Sequence, residues 1–370
     1  RVNEEPALAG LRFAGNKAFT SDQLLTHVVL RSGDPIDRSL IDRGIRAIEQ
    51  AYEDKGYFAT TVSIDEDALT DRRELVYTVV EGPKVRIQQI RFEGNTVFRG
   101  EALQMGLPRL FGGQVLGQAL NAAVRTVEPD RKPHSLHGYF LRPGDLARPV
   151  IYEVDPIRNG RSFSTRRVVG KQKGEAIFNA SISFQIEEGG GEHQFDFPPN
   201  IPHYSTLPND LDRSEDIAKS AGMTAEQFRA FYLIFGTDVI QTRTPDLRSV
   251  VTPGIHSPDW GFWFKFDEAI GDDPITHRTL LAFISDKALM STALRPLPVN
   301  FRTHKVIGAS LDHAMWFHDE IRVNQWIYYH LDSPRASRSR GFNRGSFYAE
   351  DGRLICSTAQ EGLIRVVGDT

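Results

Sequence analysis

The chain has 370 residues, 40% of them hydrophobic and 25% charged, a soluble globular composition long enough for two or three domains. Its formal net charge of -4 gives no whole-chain case for nucleic acid, and no apolar run approaches the roughly 18 residues of a membrane span. Cys356 is the single cysteine, which excludes an intramolecular disulfide and fits a reducing compartment. Arg1 follows neither a start methionine nor an apolar signal core, so the natural N-terminus is expected upstream.

Leu11–Phe13 reads as a short strand ending in a Gly15-Asn16 turn. Ser21 can cap a helix through Leu24, Leu25 and Val28, and Asp37 or Ser39 can open a second helix. In that second helix Ile41, Ile45, Ile48 and Tyr52 fall at helical spacing, and Gly56 stops it. Two strand-like runs, Thr60–Ile64 and Leu75–Val80, follow across a charged turn. At Ile90 the sequence IRFEGN restarts the opening LRFAGN at a constant offset of 79 residues, then changes character at Phe98–Gly106.

Val115–Val124 is an apolar helix followed by strand-like runs, with Ser162, Ser164 and Arg166 on one face and Phe163 and Thr165 on the other. Glu187–Pro258 is linker-like in its glycine and proline, with a short helix expected at Thr224–Ile234. A second helix is expected at Leu280–Leu294, with Asp286 near its start, again followed by strands. The two regions align at an offset of 176 on His137/His313 and 178 on Ile177/Ile355, which marks an internal duplication.

The stretches LRFAGNKAFTSDQLL, DRSLIDRGIRAIEQAYEDKGYF and LVYTVVEGPKVRIQQIRFEGN resemble a polypeptide-transport-associated (POTRA) domain. From Phe98 onward FRGEALQMGLPRLFGGQVLGQAL, HSLHGYFLRPGD, ISDKAL, ASLDHAMWFH, RGFNRGSFYAEDG and STAQEGLIR resemble acyl-CoA thioesterase II. The resemblances imply an α+β chain: a β-α-α-β-β module over residues 1–95, a hot-dog copy over 96–186, a linker segment over 187–258 and a second hot-dog copy over 259–370. A hot-dog fold wraps a curved antiparallel sheet around one helix, and VRIQQIRFEG is a candidate first strand of copy one.

The thioesterase resemblance implies an acyl-CoA thioesterase that yields free fatty acid and coenzyme A and needs neither cofactor nor metal. By it, Asp286, Ser310 and Gln360 are the groups that activate and align water. The matching places of copy one hold Gly112 or a neighbour, His134 and Ile182, so copy two alone keeps the full set. His134, Gly112, Gly113 and Arg340 are substrate-binding candidates; His134 and His137 lack a third metal ligand, and His313 and His318 read as structural. Arg158–Arg167 and Arg335–Arg344 could meet coenzyme A phosphates or form charge-guarded strand edges.

The expected partners are acyl-CoA, a second copy of the chain in a homo-oligomer, and an extended peptide at the N-terminal module, with no nucleic acid and no membrane span. The cytoplasm is the expected compartment, whereas a POTRA domain would suggest the periplasm. The alternative is a non-enzymatic POTRA-type protein-binding or outer-membrane assembly module, or a fusion artefact.

Overall fold

The computed structural model describes residues 6–55, 57, 60–81, 91–92, 96–103, 105, 107–224, 227–228, 239–252, 254–266, 270–299 and 304–369. The chain divides into two compact units, Arg1–Ile87 and Gln88–Thr370. Gly56, the Gly94-Asn95 turn, Gly106, most of Val85–Asn95 and most of Thr224–Ile234 lie outside the described residues.

The first unit runs β1 (Gly10–Ala14), α1 (Ser21–Leu25), α2 (Arg38–Asp54), β2 (Thr61–Ile64), α3 (Glu66–Arg72) and β3 (Glu74–Val80). Its sheet has the order β1-β3-β2, with β3 parallel to β1 and antiparallel to β2. Thr20 caps α1 in a reciprocal capping box with Gln23, and the Asp37 carboxylate accepts from Ser39 and Leu40 N–H to cap α2. Ile41, Ile48 and Tyr52 of α2 are fully buried and pack with Leu75 and Tyr77 of β3. The expected charged turn is instead helix α3. Asp65 caps it by accepting from Ala68 N–H, Glu66 and Asp67 suit its positive end, and Arg73 closes it at φ 55°.

The second unit contains β4 (Arg91–Phe92), β5 (Val97–Gly100), α4 (Gly112–Val124), β6 (Arg131–Phe140), β7 (Val150–Asn159), β8 (Phe163–Gln172) and β9 (Glu175–Ile186). It continues through β10 (Ile240–Arg243), β11 (Trp260–Phe266), α5 (Pro274–Ser285), β12 (His304–Ser310), β13 (Asp312–Phe317), β14 (Ile327–Ser337), β15 (Arg340–Ala349) and β16 (Leu354–Asp369). Among the described residues these thirteen strands form one sheet in the order β10-β11-β14-β15-β16-β13-β6-β9-β8-β7-β5-β4, with β12 beside β16. The halves join where β6 pairs antiparallel with β13, Leu136 facing Met315. Each half packs around its own helix, and α4, α5 and the inner strand faces share one apolar core. No helix among the described residues is long and apolar enough to cross a membrane.

Residues 187–258, linker-like in composition, also supply β10, which pairs with β11. Within them Phe197, Ile201, Tyr204 and Leu207 pack against Trp263, Tyr328 and Tyr348.

Helix α5 corrects the expected span Leu280–Leu294. The Asp273 carboxylate accepts from Ile275 and Thr276 N–H, Pro274 occupies the first turn, and the helix ends at Ser285. Asp286, expected near the helix start, is therefore its C-terminal cap.

Helices α4 and α5 run antiparallel in close contact. A Cβ on Gly113 would lie 2.0 Å from Phe283 O, and one on Gly117 would lie 2.9 Å from Thr279 O. Gly113 and Gly117 are one turn apart, so α4 presents a side-chain-free stripe to the α5 backbone. Gly117→Val should force the helices apart at a cost of about 1–3 kcal/mol. Urea unfolding checks this against Gly189→Ala, where an added Cβ meets nothing within 4 Å. Equal stability of the two variants would refute the close-packed pair.

Candidate active site

Because α4 and α5 are antiparallel, the C-terminus of α5 meets the N-terminus of α4, and Asp286 sits at the meeting point. Its Oδ2 accepts from Gly113 N–H at 3.1 Å. Its Oδ1 accepts from Ser310 Oγ at 3.2 Å and from Gln360 Nε2 at 2.5 Å. Three candidate residues from distant stretches thus converge on one carboxylate. Gly112 and Gly113 serve this approach: a Cβ on Gly112 would fall 2.6 Å from Asp286 Oδ2.

Ladder register brings the other two side chains there. Ser310 ends β12 opposite Gly362 of β16, and Leu311 N–H donates to Glu361 O. Gln360 lies two residues from Gly362 on β16, is fully buried, and faces Asn343 of β15. Burial pushes the Asp286 carboxyl up to about 6, against the opposing pull of the Gln360, Ser310 and Gly113 hydrogen bonds and the Arg109 charge. The Arg109 guanidinium donates to Gly308 O on β12, which ties it to the same corner.

Two supports carried no signal in the sequence. Tyr329 O–H donates to Ser285 O at 2.6 Å and so satisfies a terminal carbonyl of α5 just before Asp286. His313, read from sequence as structural, is buried with Nδ1 3.2 Å from Gln360 Nε2. Both are core-facing strand residues, and nothing in their local pattern separates them from packing positions.

The remaining candidates lie apart from this hydrogen-bond set. His134 Nε2 is 2.8 Å from Ser183 Oγ, and its ring meets Phe163 edge-on. Arg340 Nε donates to Glu361 Oε1 at 2.8 Å. Among the described residues no cluster of three or more His, Cys, Asp or Glu side chains could hold a metal ion.

The copy-one counterpart differs from expectation. The residue just past α4 is Arg125, exposed and bonded to Asn121, while Gly112 and Gly113 lie at the other end of that helix. Arg166 faces Ile182 across β8 and β9 as Asn343 faces Gln360 across β15 and β16. Its buried guanidinium donates to Thr126 Oγ1 and O, to the carbonyls of Arg158 and Thr165, and to Asn159 Oδ1. A buried cation with its donors spent on neutral acceptors thus reaches the chain just past the end of α4, whereas copy two has the Asp286 carboxylate just past the end of α5. His137 and His313 are not equivalent either, since His137 is exposed and His313 buried.

The family model described as "Acyl-CoA thioesterase" matches residues 237–363, and "Acyl-CoA thioesterase N-terminal domain" matches 101–185. The POTRA model, "Surface antigen variable number repeat", matches 6–82. The chain is 35% identical to acyl-CoA thioesterase 2 of Haemophilus influenzae over 269 residues, 73% of this chain and 92% of that protein. It is 36% identical to acyl-coenzyme A thioesterase 8 of Homo sapiens, covering 73% of this chain and 85% of that protein. Among solved structures, acyl-CoA thioesterase II TesB2 of Mycobacterium marinum superposes with TM-score 0.59 at 33% identity, covering 75% of this chain and 95% of that one.

The raised Asp286 carboxyl makes a stability prediction. Folded, it holds its proton up to about 6; its ordinary value is 3.8. Its stabilising contribution is therefore complete below about pH 4 and lost as pH rises through about 6. Asp286→Asn, neutral throughout, should be at least as stable as the native chain near pH 8 and should lose that advantage as pH falls toward 4. Urea unfolding across this range measures the difference; identical pH slopes would contradict a desolvated carboxylate.

Proposed function

The chain belongs to the acyl-CoA thioesterase family, with 35% identity across 92% of a curated member, and we propose that its thioester hydrolysis uses one water activated by Asp286 and aligned by Ser310 and Gln360. The thioester hydrolase activity follows from that membership. The substrate we assign is fatty acyl-CoA. The observation that carries the water-activation reading is the convergence of Ser310, Gln360 and Gly113 N–H on the Asp286 carboxylate.

A thioester carbonyl is already electrophilic, so the enzyme's task is to align water and stabilise developing charge. Asp286 can take the water proton as the water oxygen bonds to the carbonyl carbon. The C–S bond of the tetrahedral intermediate then breaks, and the departing coenzyme A thiolate takes the proton back from Asp286. The products are a fatty acid and coenzyme A. A carboxyl raised to about 6 is ionised at neutral pH yet more basic than an exposed aspartate, which suits a general base. The Ser310 hydroxyl, while donating to Asp286, keeps lone pairs for a water hydrogen. Gln360 Oε1 is buried without a partner among the described residues and can accept another. The positive end of the α4 dipole favours negative charge beside it.

Asp286→Asn should lower kcat by ~10²–10⁴-fold, the range for losing a general base. Ser310→Ala and Gln360→Ala should each lower kcat, and together by less than the product of their effects, because both act on one water. For the native chain kcat/KM should be flat above about pH 7 and fall about tenfold per pH unit below about 6 as Asp286 takes its proton. Release of free thiol from a ladder of acyl-CoA chain lengths is the assay. Native turnover in Asp286→Asn would exclude Asp286 as the base.

A further inference from the structure

We propose that His313 is a positioning residue of this site: its Nδ1 holds the Gln360 amide in one orientation and so keeps Gln360 Oε1 available as the acceptor for the water. The proposal rests on the reading of Gln360 given above.

The hydrogen positions follow from a chain of contacts. Ser285 Oγ lies 2.9 Å from Ala282 O and 3.4 Å from Met315 Sδ, both acceptors, so its single hydrogen points to that side. Ser285 Oγ is also 2.9 Å from His313 Nε2, and with its hydrogen assigned to Ala282 O it accepts there. His313 therefore carries its hydrogen on Nε2 and a lone pair on Nδ1. The ring is neutral, because burial pulls it down to about 3.

Nδ1 lies 3.2 Å from Gln360 Nε2, which also donates to Asp286 Oδ1. Both neighbours of that nitrogen are acceptors. A flipped amide would set Oε1 against a carboxylate oxygen and an imidazole lone pair at once, so only one orientation is favourable. In that orientation Oε1 is the buried amide atom left without a partner among the described residues. An Asp286 protonated on Oδ1 could donate to a flipped Oε1, whereas the His313 lone pair opposes that flip in both protonation states of Asp286. The imidazole also links Gln360 on β16 to Ser285, the last residue of α5, and so sets the distance between amide and carboxylate through a second path.

The test uses the full chain with His313→Phe and His313→Asn, each alone and combined with Gln360→Ala. Phe keeps a ring and removes the acceptor; the Asn side-chain oxygen can stand near the lost Nδ1. His313→Phe should lower kcat by ~10–100-fold with KM changed by less than ~3-fold, and His313→Asn should retain kcat within ~5-fold, as expected for loss and rescue of one positioning contact. In the Gln360→Ala background His313→Phe should cost less than ~2-fold more, because its target is already gone. Multiplicative losses in that background would overturn the proposal, as would equal losses in Phe and Asn variants that track melting temperature. If His313→Phe fails to fold, His313→Leu replaces it as the acceptor-free variant. Native turnover in Gln360→Ala alone would instead remove the role of Gln360, a result separable from failure at His313.

Discussion

The site depends on the close antiparallel contact of α4 with α5. Gly112 and Gly113 leave no side chain at the start of α4, so the end of α5 can approach within hydrogen-bonding distance. With any larger residue at Gly113 the Phe283 carbonyl would have to move, and Asp286 with it. Once the helices are in contact, the strands carrying Ser310 and Gln360 need only continue a regular ladder to bring their side chains to the carboxylate. The proposed catalytic set, drawn from residues 286, 310 and 360, is thus organised by backbone proximity between two helices rather than by a loop.

Much of this was legible in the sequence, but unevenly. The apolar face of α2 showed itself by spacing, since Ile41, Ile48 and Tyr52 must share one side of a helix. The short α3 did not, because a seven-residue helix between two strands has too little periodicity to stand out from a charged turn. Asp286, Ser310 and Gln360 were reached through the motifs around them, and composition alone would have left each an ordinary polar residue. The span Leu280–Leu294 differs from α5 because the helix start signal, Asp273-Pro274, lies before the apolar run. His313 and Tyr329 stayed hidden for a different reason: their importance lies in which atom they touch across the sheet, and a strand pattern reports only which face they occupy.

The duplicated halves illustrate how one scaffold supports opposite electrostatics. In copy two the place beyond the central helix holds an anion fed by donors. In copy one the corresponding end is filled by the Arg166 guanidinium, which meets the Thr126 carbonyl just past the end of α4. Cations suit a helix C-terminus and anions do not. Copy one therefore follows the simple electrostatic preference, and copy two departs from it.

That departure explains the character of Asp286. It caps the negative end of α5 while facing the positive end of α4, so the two helix dipoles act against each other on the same carboxylate. Tyr329 weakens the unfavourable one by engaging the Ser285 carbonyl, and Gln360, Ser310 and Gly113 favour the charge directly. Burial nevertheless outweighs all of them and holds the group near 6. Fewer donors would raise the carboxyl further, and more exposure would return it toward its ordinary value. The hydrogen bonds that converge on Asp286 are thus also the ones that favour its ionised form, which couples geometry to protonation at a single residue.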